Sequence, residues 1–269
     1  MNPNFVGTQL YGWTQVYQQE KKAFDPDEVL SAVRDGGFDF AEGFLDLAHP
    51  ENSAAFADKL KAKGMRPVSL YTGGRLHDKE KSGEAIDALL AAAKVCHEAG
   101  FLMFNCNPDP IGKAKTAEEL TVQAESLDKL AAGLNELDMI LGVHNHTPEM
   151  ANEAKEFHHN FRHTDAGKVG FCFDVHWVFR GGLAPMAALR EYRQRVVSWH
   201  LRQSRDKIWW EDLAAGDVDY AEIADFMAQH EFGGPYIVEL AIEPGMKITR
   251  TIAENNRRSR EYVREVFSV

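Results

Sequence analysis

The chain has 269 residues, and its 30 basic and 41 acidic residues give a formal net charge of −11. Hydrophobic residues make up 44% and charged residues 26% of the sequence, a globular composition that excludes a disordered chain, a collagen and a coiled coil. A surface with this excess of negative charge repels phosphate backbones, so we expect no nucleic-acid partner.

The sequence carries no signal for a membrane or for export. No segment approaches the roughly 18 consecutive apolar residues of a membrane span. The first residues, MNPNFVGTQLYGW, lack the basic region and apolar stretch of a signal peptide. The three cysteines, Cys96, Cys106 and Cys172, are too few and too scattered for a disulfide framework. We therefore expect a cytoplasmic protein that does not associate with membranes.

Short apolar segments alternate with longer helical segments along the whole chain. Eight strands are predicted, at residues 5–10, 38–44, 66–71, 101–106, 139–146, 169–176, 196–201 and 236–241. These segments are apolar throughout rather than at every second residue. That pattern is typical of parallel strands that are covered on both faces.

A helix is predicted after each strand. The first helix opens at Asp25–Pro26, where Asp caps the helix and Pro takes its first position, and it closes at Gly36–Gly37. An Ala-rich helix at residues 83–99 stops at Gly100, and a capping box at Thr116–Glu119 opens the helix at residues 116–137. The remaining helices are predicted at residues 53–63, 151–163, 185–195, 220–230 and 248–267.

Eight strands and eight helices in strict alternation predict an α/β fold, a single (β/α)8 TIM barrel over residues 1–269. Each unit averages about 34 residues, close to the ~30 of a βαβ unit. The competing fold, an open doubly wound sheet, usually carries a Gly-rich phosphate loop after its first strand. The segment Gln-Leu-Tyr-Gly-Trp at residues 9–13 is not such a loop, and no linker divides the chain.

Polar residues cluster at the predicted carboxyl ends of the strands, where a barrel builds its active site. Four of the 11 histidines and three carboxylates lie there: His144, His146, His176, His200, Glu42, Asp174 and Glu239. A single histidine at a strand end more often makes a structural hydrogen bond. Several such groups converging on one axis favour a divalent cation, because isolated charges are costly to bury.

Strand alternation narrows the ligand set. Residues two apart on a strand point to the same side, so His144 should share a face with His146, and Asp174 with His176. Oxygen and nitrogen ligands without cysteine suit manganese, magnesium, cobalt, zinc or iron(II). We expect one divalent metal ion, with manganese as the first choice.

Four segments resemble the xylose isomerase-like TIM barrels, also called the sugar phosphate isomerase/epimerase superfamily. They are Val-His-Asn-His-Thr-Pro-Glu at 143–149, Phe-Asp-Val-His-Trp-Val at 173–178, Trp-His-Leu-Arg-Gln-Ser at 199–204 and Gly-Asp-Val-Asp-Tyr at 216–220. The resemblance runs from the second strand to the eighth. It implies a metal-dependent sugar isomerase or epimerase.

The resemblance also implies a ligand set. In the epimerases of this superfamily, a Glu, an Asp, a His and a Glu from strands five to eight hold the metal. Asp174, His200 and Glu239 match the last three, and His144 takes the place of the first Glu. The two glutamates are also the proton-transfer groups of those epimerases. This chain retains one of them, Glu239, and either Glu149 or His146 is the candidate for the second.

The mechanism that the resemblance implies involves a small sugar. The metal polarises a carbonyl and stabilises the enediolate that forms when Glu239 removes the neighbouring proton. The sequence shows no phosphate cradle, which favours a free sugar or keto-glycoside. The predicted substrate-binding residues are Glu42, His176, Arg202, Trp13 and Trp177. The two tryptophans would form apolar walls of the site.

Other functions and assemblies stay open at this point. A dehydratase or hydratase of a keto-sugar can run with one base, which suits the missing glutamate. A DNA-repair barrel needs three metals and a basic groove, and the net charge opposes it. A non-catalytic barrel is opposed by the retained Asp174 and Glu239. The family's usual assemblies suggest a homodimer or homotetramer. Trp209–Trp210 is a candidate apolar wall, lid or subunit contact.

Overall fold

The computed structural model describes residues 4–269, in which eight parallel strands close into a barrel. The barrel strands are β1 (Val6–Gln9), β2 (Phe40–Phe44), β3 (Ser69–Gly74), β4 (Met103–Pro108), β5 (Ile140–Val143), β6 (Val169–Asp174), β7 (Val196–Leu201) and β10 (Tyr236–Val238). Each strand pairs with the next along this list, and β10 pairs with β1. The predicted (β/α)8 barrel is confirmed.

The helices of the described residues cover the outside of the barrel. They are α1 (Tyr11–Gln19), α2 (Pro26–Asp35), α3 (Pro50–Ala62), α4 (Ser82–Glu98), α5 (Ala117–Asn135), α6 (Thr147–Arg162), α7 (Val175–Arg180), α8 (Pro185–Tyr192), α9 (Tyr220–Gln229) and α10 (Ile252–Phe267). Within residues 4–269, no helix is both long and apolar enough to cross a lipid bilayer.

The predicted strict alternation is wrong in three places. An extra helix, α1, precedes α2, and α7 precedes α8. A hairpin of two short antiparallel strands, β8 (Ser204–Arg205) and β9 (Ile208–Trp209), follows β7. These three additions all follow the carboxyl ends of barrel strands, so they lie at the end of the barrel where a site is expected.

The capping residues act as their sequence positions predict. The Asp25 carboxylate accepts hydrogen bonds from the backbone N–H groups of Asp27 and Glu28 at 2.9 and 3.2 Å. Thr116 and Glu119 form the reciprocal capping box of α5, at 3.2 and 2.6 Å. These bonds satisfy donors that a helix start otherwise leaves unpaired.

Helix α1 requires a glycine for its close approach to the segment after β10. A Cβ atom at position 12 would lie 2.1 Å from the backbone oxygen of Leu240, a distance that no side chain tolerates. Gly12 thus lets α1 rest directly on this segment, and Trp13 beside it enters the core. The packing, rather than a capping residue, fixes the helix at this position.

Strands β5, β6 and β10 end two or three residues earlier than the sequence predicts. Strand β6 stops at Asp174, and α7 begins at Val175 because the Asp174 carboxylate caps it, accepting from the Trp177 N–H at 2.8 Å. The prediction that Asp174 and His176 share a strand face is therefore wrong. Strand β5 stops at Val143, so His144 and His146 lie beyond it, although their rings remain 4.6 Å apart.

Helix α6 is not regular along its whole length. Asn152, Glu153 and Ala154 have φ angles of 53°, 59° and 58°, in the left-handed region that disfavours residues with a Cβ. This turn separates the first part of α6, which includes Glu149, from the remainder. Helix α6 thus begins at Thr147, four residues before its predicted start, and the turn falls close to that predicted start.

An aromatic cluster fixes α6 and α8 against the barrel. The ring of Phe171 on β6 lies 5.5 Å from Phe157 and 4.5 Å from Phe161, both on α6. Tyr192 at the end of α8 closes the cluster at 5.2 Å from Phe161. Phe171 is fully buried, so its ring is a large part of this interface.

We expect Phe171→Ala to lower the free energy of unfolding by about 3–5 kcal/mol, because the change leaves a cavity among rings that cannot collapse to fill it. Chemical denaturation measured by circular dichroism would show the loss. Phe24→Ala is the matched control, since Phe24 is 36% exposed and should cost about 1 kcal/mol or less. Equal losses for the two variants would contradict this packing.

Candidate metal and substrate site

Four side chains converge at the carboxyl end of the barrel. His144 follows β5, Asp174 ends β6, His200 lies on β7 and Glu239 follows β10. One nitrogen or oxygen atom from each residue lies within 4.8 Å of those of the other three, and all four residues are buried. We call these residues the ligand cluster. Imidazole nitrogens and carboxylate oxygens at this spacing could hold one divalent cation.

His144 presents a free lone pair to the cluster. Burial, with the neighbouring His200 and Arg202, lowers the pKa of His144 to about 3, so its ring is neutral at pH 7. Its Nδ1 lies 3.3 Å from the amide oxygen of Asn107, which fixes the proton on that nitrogen. The unprotonated Nε2 faces Asp174 Oδ2 at 3.4 Å. Among the described residues, neither of these two atoms has a hydrogen-bond partner.

His200 lies between two carboxylates. Its Nδ1 is 2.8 Å from Glu239 Oε2, and its Nε2 is 2.9 Å from Glu42 Oε2. The other oxygen of Glu42 accepts hydrogen bonds from Ser69 and Asn105 at 2.8 and 2.7 Å. Burial lowers the pKa of His200, but Cys172, Glu42 and Glu239 outweigh it and raise that pKa well above its usual value.

Arg202 keeps Glu239 ionised. Its Nη2 lies 2.6 Å from Glu239 Oε1, and its Nε donates to the Glu239 backbone oxygen at 2.9 Å. Burial raises the pKa of Glu239, but Arg202 and His200 oppose this and hold that pKa well below its usual range. Glu239 therefore carries no proton at neutral pH.

The formal charges of the site fit a divalent cation. Three carboxylates, those of Glu42, Asp174 and Glu239, face one buried guanidinium, that of Arg202. Burial and the nearby Glu239 raise the pKa of Asp174, because both disfavour its ionised form. A divalent cation bound at His200 Nδ1 would displace the proton from that nitrogen, and its two charges would then bring the group to zero. Buried charges are tolerated only when they are balanced in this way.

A cavity of about 490 Å³ opens above the ligand cluster, and we call it the mouth cavity. Its volume lies within the range of small-molecule sites. Residues that line it include Tyr71, His146, Trp177, Arg202, Trp209 and Glu239. Glu239 is the only member of the ligand cluster among these lining residues, so it is the cluster residue that a bound molecule would touch.

Two tryptophans form one wall of the mouth cavity. The Trp177 and Trp209 rings meet edge to face at 5.4 Å, and Arg202 lies 4.1 Å above Trp209. The Trp209 backbone N–H donates to Glu243 Oε1 at 2.7 Å, and Arg180 binds the same oxygen at 2.8 Å. The β8–β9 hairpin is thus tied to α7 and to the segment after β10.

Three of the remaining predicted residues lie below the mouth cavity rather than on its surface. Glu42 faces His200, as described above. His176 is buried beneath Trp209, whose Nε1 donates to His176 Nδ1 at 3.3 Å. Glu149 is buried and accepts from the His146 N–H at 2.7 Å and from Asn107 at 3.3 Å. These three residues contact the site from behind, while His146, Trp177 and Arg202 line it.

The structure does not bring Trp13 to the mouth cavity. Trp13 is 3% exposed, packs in the core, and borders a separate cavity of about 580 Å³ near the start of α10. Its predicted place in the substrate wall is taken by Trp209.

Tyr71 is the main residue that sequence reasoning missed. Its ring lies 5.3 Å from His144 and 6.2 Å from His200, and it lines the mouth cavity. Tyr71 ends the predicted third strand, so the strand-end rule applies to it as it does to Glu42. A tyrosine in an apolar strand, however, has the sequence signature of a core residue, because its ring is largely hydrophobic.

This chain belongs to the family of xylose isomerase-like TIM barrels, whose sequence profile matches residues 30–265. Its curated relatives include an inosose dehydratase of Geobacillus kaustophilus (strain HTA426), 23% identical over 273 aligned residues, which cover 89% of this chain and 87% of the relative. An inosose dehydratase of Glaesserella parasuis serovar 5 (strain SH0165) is also 23% identical, and the match covers 98% of both chains.

Solved structures share the same fold. A sugar phosphate isomerase/epimerase from Parabacteroides distasonis ATCC 8503 superposes with a TM-score of 0.77 at 19% identity, covering 98% of this chain and 94% of that chain. A D-allulose 3-epimerase from Methylomonas sp. gives a TM-score of 0.75 at 12% identity, covering 97% of both. At these identities the likeness shows the barrel fold.

We expect a chelator to lower the melting temperature of the metal-loaded protein. A cation at about one hundred times its dissociation constant contributes about 2.7 kcal/mol, which corresponds to about 5–10 °C for a chain of this size. Differential scanning fluorimetry with EDTA and with added manganese measures the shift.

Asp174→Asn should lose this response to the metal. Glu243→Gln is the matched control, because it removes a carboxylate beside the mouth cavity but none from the ligand cluster, and it should keep the response. A chelator response that survives Asp174→Asn would contradict the assignment of Asp174 to the cation.

Proposed function

We propose that this protein is a divalent-metal-dependent isomerase or epimerase of a sugar or keto-sugar. The observation that carries the proposal is the ligand cluster of His144, Asp174, His200 and Glu239 directly beneath the mouth cavity. Membership of the xylose isomerase-like family and the sugar epimerases among the similar structures support the same chemistry.

The cation would be held by His144 Nε2, Asp174 Oδ2, His200 Nδ1 and Glu239 Oε2. When bound, it would polarise a sugar carbonyl and stabilise the negative charge that develops on its oxygen. Manganese is the first ion to test, and magnesium, cobalt, zinc and iron(II) share its ligand preferences. Glu42 would fix the orientation of His200 from the other ring nitrogen, as carboxylates behind ligand histidines commonly do.

Glu239 is our candidate for the base. It is ionised, it lines the mouth cavity, and it would accept the proton from the carbon next to the carbonyl. Arg202 stays beside it at 2.6 Å and would hold it in place as the proton arrives. Trp177, Trp209 and Tyr71 would pack against the apolar face of the sugar ring.

His146 is our candidate for the second proton-transfer group, in preference to Glu149. Its ring lines the mouth cavity, whereas the Glu149 carboxylate is buried and hydrogen-bonded to backbone and Asn107. Burial and His144 lower the pKa of His146 to about 3, so the ring is neutral at pH 7. A neutral imidazole can hydrogen-bond to, and exchange protons with, a carbonyl or hydroxyl oxygen.

Dehydration of a keto-sugar is the second candidate function. Two observations favour it. The curated relatives over nearly the whole chain are named inosose dehydratases, and Glu239 is the only cluster carboxylate that reaches the mouth cavity. After Glu239 takes the proton, a carbon–carbon double bond would form and the carbon–oxygen bond at the next carbon would break. Glu239 would then return its proton to the departing hydroxide, giving water and restoring the carboxylate.

Glu239→Gln should abolish deuterium uptake at the carbon next to the carbonyl, by about 10²–10⁴-fold, because the amide cannot accept the proton. Proton NMR in D2O on the magnesium-loaded protein, with a panel of ketoses, inososes and 3-keto-glucosides, measures this uptake and identifies the product. An epimer or isomer supports the first function, and a new alkene supports the second.

The control for Glu239→Gln is metal content, measured by elemental analysis, because Glu239 is also a proposed ligand. Glu243→Gln, which alters the other carboxylate beside the cavity, should lose much less exchange. Near-normal uptake by Glu239→Gln would exclude Glu239 as the base.

His146→Gln should separate the two proton transfers. If His146 returns the proton on the far side of the sugar carbon, the variant still exchanges deuterium through Glu239 but forms no epimer. The same NMR experiment reads both quantities at once. Full epimer formation by this variant would assign the second transfer to another group or to water.

A further inference from the structure

A second cavity adjoins the mouth cavity. It has a volume of about 640 Å³ and lies over the carboxyl ends of β2, β3 and β4. Phe44 and Tyr71 line both cavities, so the two spaces meet at these rings. We call this second space the side cavity. None of the residues of the proposed reaction, apart from Tyr71 at the junction, borders it.

The mouth cavity alone is large enough for one sugar unit. A hexose has about twelve non-hydrogen atoms, and even at the ~30 Å³ that each water molecule occupies in the liquid, it fills no more than about 360 Å³. The mouth cavity measures about 490 Å³. The side cavity is therefore space that a monosaccharide bound above the ligand cluster would leave empty.

Phe44 presents an aromatic face at the junction. Its side chain is 48% exposed at the end of β2, although it is a large apolar group. Tyr11 and Tyr71 meet it nearly edge-on, at 6.5 and 6.0 Å between ring centroids, which holds the phenyl ring without covering it. An exposed ring supported in this way is suited to packing against the apolar face of a ligand.

The side cavity has four charged side chains that form no ion pairs within residues 4–269 and whose charges sum to zero. Arg75, Lys81, Glu84 and Asp109 line it, and none of these four side chains makes a hydrogen bond or an ion pair with another of the described residues. Two positive and two negative groups give no net charge. They offer donors and acceptors together, which suits a neutral polyhydroxyl group better than a phosphate.

The mouth cavity points to the same chemistry. The guanidinium that lines it, that of Arg202, is already paired with Glu239, and the nearby Arg180 is paired with Glu243. A phosphate bound there would face Glu239 and Glu243 without a free cation, which is unfavourable. Both spaces therefore favour an uncharged ligand.

We propose that the side cavity binds a second sugar unit, so that the substrate is a neutral disaccharide or glycoside. The unit that reacts occupies the mouth cavity, and the distal unit packs on Phe44 and hydrogen-bonds to Arg75, Lys81, Glu84 and Asp109. The position of the reacting unit rests on the proposed function, whereas the distal site rests on the side cavity itself.

Isothermal titration calorimetry on the manganese-loaded protein tests this proposal. The ligands are maltose, cellobiose, lactose and trehalose, compared with glucose and galactose. At least one disaccharide should bind about tenfold more tightly than its own monosaccharides, because its second ring adds contacts in the side cavity. Equal affinity for disaccharides and monosaccharides across the panel would overturn the proposal.

Phe44→Ala should remove the gain in affinity for the disaccharide. Arg75→Gln, at a residue that borders only the side cavity, should reduce that gain and leave monosaccharide binding within about twofold. Phe24→Ala is the matched control, because Phe24 is also a part-exposed phenylalanine but borders neither cavity. A gain that survives Phe44→Ala would overturn the assignment of the distal site.

Two further experiments distinguish this proposal from a phosphorylated substrate and from the proposed reaction. Glucose 1-phosphate binding more tightly than every disaccharide, with the excess lost in Arg75→Gln, would overturn the neutral substrate in favour of a phosphorylated one. Repeating the titrations with Glu239→Gln separates binding from catalysis. If no deuterium exchange is ever found but the disaccharide gain persists, the proposed reaction fails and the distal site stands.

Discussion

The end of the barrel depends on one electrostatic constraint, the burial of three carboxylates with a single guanidinium. Parallel strands bring Glu42, Asp174 and Glu239 to the same end of the barrel, where water cannot screen them. Much of the surrounding structure stabilises these buried charges. A chain of hydrogen bonds from Ser198 through Asn105 to Glu42 crosses the barrel interior, at 2.8 and 2.7 Å, and links β7, β4 and β2. The proposed cation would complete the balance.

The site has a floor, which carries the buried charges, and walls, which do not belong to the barrel strands. The floor is made of residues on or directly after barrel strands, and each is held by atoms from another strand. The walls come from segments added to the basic barrel plan, namely α7 with Trp177 and the β8–β9 hairpin with Trp209. Their contacts are made largely with each other, through Arg180 and Glu243.

The sequence allows the floor to be predicted better than the walls. Strand ends in a closed parallel barrel must meet, so the order of His144, Asp174, His200 and Glu239 along the chain is enough to bring them together. The walls depend on short elements of two to nine residues, such as β9 and α1, which are stable only through tertiary packing. Trp13 and Trp209 have the same chemical character in the sequence. The close approach of α1 to Leu240 buries Trp13, and the hairpin carries Trp209 to the cavity.

The division between floor and walls has an evolutionary consequence. Glu239 touches His200 and Arg202 at once, so a substitution there disturbs charge balance, cation binding and proton transfer together. Such a position leaves little room for gradual change. The hairpin and the rim around Phe44 contain no member of the ligand cluster, so they can accept insertions and exchanges without altering its charges. New substrate preferences in proteins built on this plan should therefore arise by remodelling these segments, while the chemistry at the floor is inherited unchanged.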